Sequence, residues 1–196
     1  AAFNDAAVKT ALDAFLDENG MKPAYVITGK GTDKMRVQRW SDGDIELLAI
    51  FNENSPDMEL TVRPPAKSRV FNIHTNEDLG LVDKFDVKVG TGRARFFAIT
   101  AKEPSAPSVK FKPAKAARGG MLKAVAGVPD AKGLHPLRYA IWNNCKKLEW
   151  TEKTVLVGGQ AAELNIPIAY NDPQGAYELR ASDILTGKTC SASADV

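Results

Sequence analysis

Apolar and polar positions alternate with a period of two along most of this chain, and follow helical spacing only once, at its start. In residues 4–19, Val8, Ala11, Leu12, Phe15 and Leu16 fall on one stripe of a 3.6-residue turn, which predicts a helix. Asn4 is placed to cap its first turn and Asp5 suits the positive end of its dipole. Gly20 and Pro23 end it. From residue 25 the period changes. A short β-rich run at 25–28 comes first, then Met35 and Val37 alternate with Arg36 and Gln38. Ser41, Asp42, Gly43 and Asp44 read as a hairpin turn. Beyond it, Ile45, Leu47, Ala49 and Phe51 alternate with less apolar neighbours. Met58, Leu60 and Val62 oppose Glu59, Thr61 and Arg63. Further runs are marked by Phe71 and Ile73, by Phe85, Val87 and Val89, and by residues 94–101. About seven short strands separated by turns predict a sandwich or small barrel.

The prolines and small polar residues around 104–108 read as a stiff, extended linker. A second series follows, at 109 onward, 121–127, 137–143, 154–157, 161–168, 176–182 and 188–194. Seven strands in so short a stretch match an immunoglobulin- or fibronectin-like domain. Tyr177 opens the sixth, just after a turn cluster, where a tyrosine corner would stand. The predicted fold is all-β: two tandem antiparallel β-sandwiches with one N-terminal helix. The predicted organisation is a connector helix at 1–20, a first sandwich at 21–103, a linker at 104–108 and a second, immunoglobulin-like sandwich at 109–196.

Composition narrows the function more than it names it. Hydrophobic residues make up 44%, enough for a substantial core. Twenty-six basic against 24 acidic residues leave a net charge of +2, which gives no electrostatic case for a nucleic-acid partner or an anionic membrane. No apolar run reaches the roughly 18 residues of a membrane span, and no signal-peptide pattern is present. The opening AAFNDAAV lacks an initiator Met and reads as a processed piece. His74 and His135 are far apart, and no metal-ligand spacing or cofactor motif occurs. His74 reads as a surface or interface residue, and His135, before Pro136, as a loop residue. Asn171, Asp172 and Asp183 offer oxygens without the spacing of a calcium loop; turn capping accounts for the first two. Cys145 should follow the third strand of the second series and Cys190 begin the seventh. Those ends lie on the order of 20 Å apart at about 3.3 Å per residue, whereas a disulfide needs Cα atoms within about 7 Å. Two free thiols are expected, with Cys190 buried.

The candidate binding residues are aromatic. Trp40 shares a face with Arg36 and Gln38, and an exposed indole can stack on a sugar ring. Trp142, Asn143, Asn144 and Trp150 form the densest aromatic and amide group, and amides match hydroxyl pairs. Against this stands packing: Trp40 on a neighbouring domain, and Trp142 as the core tryptophan of an immunoglobulin-like third strand. No pair of carboxylates can be singled out as the acid and base of glycoside hydrolysis, so no catalytic residue is assigned.

The stretches MRVQRWSDGDIELLAIFNEN, RVFNIHTNEDLG and VGTGRARFFAIT resemble the small C-terminal β-sandwich of multidomain glycoside hydrolases of the β-galactosidase type. RYAIWNN, and GGQAAELNIPIAYNDPQGAYELRASDILTGK, resemble immunoglobulin-like modules appended to such bacterial secreted proteins. The resemblance implies a non-catalytic accessory pair that supports or orients an upstream catalytic domain of the same polypeptide. It implies an extracellular or periplasmic setting, with polysaccharide as a possible further partner. It brings no catalytic residues, because the paired glutamates of those enzymes lie in a barrel, and strands here are not separated by helices. The alternative is a carbohydrate-binding module using exposed tryptophans.

Overall fold

The computed structural model describes residues 5–21, 24–53 and 56–196. Asn4 and Pro23, expected to cap and to stop the helix, lie outside them. The helix α1 (Asp5–Glu18) forms as its spacing predicts. Its apolar stripe is not covered, with Val8, Leu12 and Phe15 each about half exposed. The rest of the chain is antiparallel β-structure.

The first sandwich contains β1 (Val26–Lys30), a single 3-10 turn (Thr32–Lys34), β2 (Met35–Asp42), β3 (Ile45–Asn52), β4 (Met58–Arg63), β5 (Ser68–Asn72), β6 (Glu77–Val82), β7 (Phe85–Val89) and β8 (Arg93–Thr100). A three-stranded sheet, β1-β4-β7, faces a five-stranded sheet, β2-β3-β8-β5-β6. Their inner faces supply one core: Met58, Leu60, Val62, Phe85, Val87 and Val89 from one sheet, Leu48, Ile50, Val70, Phe97 and Ile99 from the other. Asn52 is buried beside it because its amide donates to Pro56 O and Val89 O, both at 3.1 Å. Two sequence expectations change here. Strand β6 adds to the strands that alternation marks: it is an edge strand whose residues are exposed or half-buried, so its sequence alternates weakly. In β3 the core takes Leu48 and Ile50, while the more apolar set Ile45, Leu47, Ala49 and Phe51 faces outward.

The second sandwich contains β9 (Ser108–Phe111), β10 (Met121–Gly127), β11 (His135–Asn143), β12 (Lys146–Val157), β13 (Ala162–Pro167), β14 (Ala176–Asp183) and β15 (Thr189–Asp195). Sheet β13-β10-β9 faces sheet β12-β11-β14-β15. This is a fibronectin-like partition of seven strands. Tyr177 is fully buried and its hydroxyl donates to Pro173 O at 2.8 Å, which makes the tyrosine corner. Asp172 caps the same corner by accepting from Ala169 N–H at 2.8 Å. Both cysteines are free: Cys145 is exposed in the β11–β12 turn, and Cys190 is half-buried against the core, which pushes its thiol pKa up.

The outward face of β3 meets the second sandwich. Leu185, in the β14–β15 turn, is buried against Ile45, Phe71 and Ala98. Asp42 accepts from Leu134 N–H at 2.8 Å. Gly43 (φ +62) lies so close to the other sandwich that a Cβ there would stand 2.3 Å from Lys132 O. Lys188 donates to Glu103 at 2.9 Å and to Pro104 O at 2.6 Å, and Arg69 bridges Glu103 to Asp78. His135 is not a loop residue. It begins β11, is buried to 2%, and pairs through Nδ1 with the fully buried Asp183 at 2.9 Å. Asp183 also accepts from Thr186 Oγ1 and Leu185 N–H, so this cluster shapes the turn that presents Leu185.

Candidate functional site

The outer face of the four-stranded sheet carries the densest group of functional side chains. Strand β11 places Leu137, Tyr139, Ile141 and Asn143 inward and Arg138, Ala140 and Trp142 outward. Trp142 is therefore not the core tryptophan that a third strand would supply. Its ring is half-buried under the Arg180 guanidinium, 4.4 Å from the ring centre. Arg180 is held by Glu178 at 2.6 Å. Across the sheet, Lys147 pairs with Glu149 at 2.9 Å and Glu152 at 2.7 Å. Arg138, Trp142, Lys147, Glu152, Glu178 and Arg180 border an open depression of about 500 Å³.

The other candidates do not converge on it. Asn143 is buried and its amide donates to Ala176 O at 3.2 Å, so it braces the end of β14. Asn144 and Cys145 have φ of +46 and +63, the two central positions of a tight hairpin turn. Trp150 is 52% exposed. It stands on an irregularity of β12, where residues 149–152 fall between the pairs Tyr139–Lys153 and Ile141–Leu148. Thr151 repairs the interrupted ladder: its hydroxyl accepts from Ile141 N–H at 2.9 Å and donates to Leu148 O at 2.6 Å.

Trp40 belongs to the other sandwich. It lies on the edge strand β2 opposite Leu47 and is 48% exposed. Further along the same outer face, Arg36 sits over Phe51, Phe51 meets Phe96 edge-on, and His74 stacks on Phe96 at 5.7 Å. His74 is thus an aromatic neighbour at the surface.

The charged groups are tuned toward ion pairing. Hydrogen bonds from Arg180 and Lys147 hold the Glu178 and Glu152 carboxyls below the ordinary range, and Glu152 and Glu149 raise Lys147. Among the described residues, each carboxyl with a resolved shift moves down. The arrangement presents an aromatic platform and fixed charges.

No family model matches the sequence, and no curated protein matches it. Among solved structures, the chain is similar to a rhamnosidase from Novosphingobium sp. PP1Y, at 9% identity and a TM-score of 0.37, over 81% of this chain and 22% of that one. It is also similar to a beta-glycosidase from Bacteroides vulgatus, at 9% identity and a TM-score of 0.38, over 94% of this chain and 26% of that one. The chain thus spans about a quarter of the length of either protein. Likenesses of this strength carry no argument about activity. Among the described residues, no helix is long and apolar enough to cross a membrane.

Proposed function

We propose that this chain is a non-catalytic accessory pair of β-sandwiches from a larger, secreted carbohydrate-active polypeptide, and that it holds a catalytic domain of the same polypeptide in position. The observation that carries this reading is the junction. Leu185 buried on Ile45, Phe71 and Ala98 and the Asp42–Leu134 hydrogen bond join the two sandwiches, and the Lys188–Glu103–Arg69 charges tie the segment between them to both. A pair fixed in this way transmits orientation, which a flexible tether cannot do. The carbohydrate-active and extracellular or periplasmic setting is supported by the strand-and-turn motifs that resemble glycosidase tails. The direct test is an assay of the purified chain against a panel of chromogenic aryl glycosides. No turnover is expected, and steady turnover that survives repurification would overturn the proposal.

A second reading is favoured by one observation, the half-exposed indoles of Trp40 and Trp150. These suit stacking on a polysaccharide. A glycan array with Trp40→Ala and Trp150→Ala as controls separates the two readings: retention that either substitution abolishes would make the chain a carbohydrate-binding module.

A further inference from the structure

Where the two sandwiches meet, they enclose a cavity of about 380 Å³. Its apolar walls are Ile45 from β3, Pro104 from the connecting segment, and Val128 and Pro129 after β10. Asp44 and Lys102 stand on the first-sandwich side, and Asp130 and Lys132 on the other. His135 also lines it.

His135 is the informative member. Its side chain is 2% exposed and its one side-chain hydrogen bond joins Nδ1 to Asp183 Oδ2. The bond to the Asp183 carboxyl engages Nδ1, and Nε2 is the ring nitrogen left for a further partner. Nε2 has no partner among the described residues. It is the polar atom that His135 can offer to the cavity the residue lines. A buried ring nitrogen beside a polar cavity calls for a hydrogen-bonding partner.

The charges around the cavity select the kind of partner. Glu103 is already engaged by Arg69 and Lys188. The remaining two carboxylates and two ammonium groups balance, so no net field favours an ion. No three His, Cys, Asp or Glu side chains converge as metal ligands among the described residues. Acceptors and donors around one cavity fit hydroxyl groups, each of which donates and accepts. The volume lies at the lower end of small-molecule pockets, roughly 300–1,000 Å³.

We propose that the junction cavity is a binding site for a neutral polyol of monosaccharide size. His135 Nε2 meets a hydroxyl group at its inner wall, the Asp44 and Asp130 carboxylates accept from others, and Lys102 and Lys132 donate. Because both sandwiches contribute, the ligand bridges them and tightens the junction. The site is distinct from the exposed tryptophans and stands independently of the accessory role.

The test is a titration of the whole chain with D-galactose and D-glucose, followed by ¹⁵N–¹H spectra, with inorganic phosphate as the anionic control. With either sugar, saturable shifts are expected at the Asp44, Lys102, Asp130 and Lys132 amides and at the His135 ring nitrogens, with a Kd in the range of about 1 mM. Asp130→Asn should weaken that binding about tenfold, the loss of one charge-assisted hydrogen bond. The substitution keeps the fold because Asn accepts the φ of +58 found there. No shift at His135 with either sugar at about 50 mM, well above that Kd, would overturn the proposal. So would saturable shifts with phosphate alone, or an affinity untouched by Asp130→Asn. Such failures leave the mechanical role of the junction standing, since that rests on Leu185.

Discussion

Replacing Leu185 by alanine tests whether the two sandwiches act as one body. Leu185 is 6% exposed, and its buried neighbours Ile45, Phe71 and Ala98 belong to the other sandwich. Losing three carbons removes about 2.4 kcal/mol of burial at about 0.8 kcal/mol per methylene. A cavity term can raise such a substitution to about 5 kcal/mol, but less so at a junction whose walls can close in. A loss of about 2–3 kcal/mol is expected for the whole chain. Urea unfolding followed by tryptophan fluorescence measures it, with Leu134→Ala, 53% exposed at the same junction, as the control expected to stay within about 0.5 kcal/mol. Hydrogen exchange locates the effect: amides of Ile45, Phe71 and Ala98 should lose protection, while Leu137 and Leu179 in the second core keep theirs. An unchanged midpoint together with unchanged exchange at Phe71 would refute the reasoning, because it would mean that the sandwiches do not support one another through this side chain.

Further outcomes follow from single interactions. Tyr177→Phe keeps the buried ring and removes the bond to Pro173 O, so unfolding should show a loss of about 1–1.5 kcal/mol with an unchanged denaturant slope. Thr151→Val leaves Ile141 N–H and Leu148 O without the bridging hydroxyl, and should cost about 1–3 kcal/mol in the same measurement. Acid should loosen the junction. Lys188 and Arg69 lower the Glu103 carboxyl; at Asp78 burial opposes the shift, and the Arg69 and Gly80 N–H bonds reverse it. Carboxyls lowered on folding contribute stability above their unfolded pKa and lose it as pH falls through the folded one. Exchange at Phe71 and Ala98 should therefore rise below about pH 4, and an exchange profile flat down to about pH 2 would count against these pairs.

The strands were legible where one face of a sheet is dry and the other wet. In β4, Met58, Leu60 and Val62 are buried while Glu59 and Arg63 are exposed, and that contrast is written in the residues themselves. The tyrosine corner was legible for a similar reason, since turn residues just before a strand that opens on tyrosine leave its ring one place to go. Strand β11 was not legible in the same way. Both of its faces hold apolar residues, Leu137, Tyr139 and Ile141 on one, Ala140 and Trp142 on the other, so the period was clear and the inward face was not. The candidate aromatic and amide group divided for that reason, with Trp142 outward and Asn143 inward.

The sequence by itself determined the all-β class, the positions of most strands and the corner chemistry around Tyr177, because each depends on neighbours a few residues apart. It placed His135 in a loop, because nothing within several residues of His135 calls for a buried ring. Asp183, its partner, stands 48 positions away. Only the tertiary structure decided that this pair is buried and that the apolar outer row of β3 receives Leu185. It alone decided that His135 and Ile45 border one cavity between the sandwiches. Those contacts join residues far apart in the chain, and alternation records only that a face is apolar, never what will cover it.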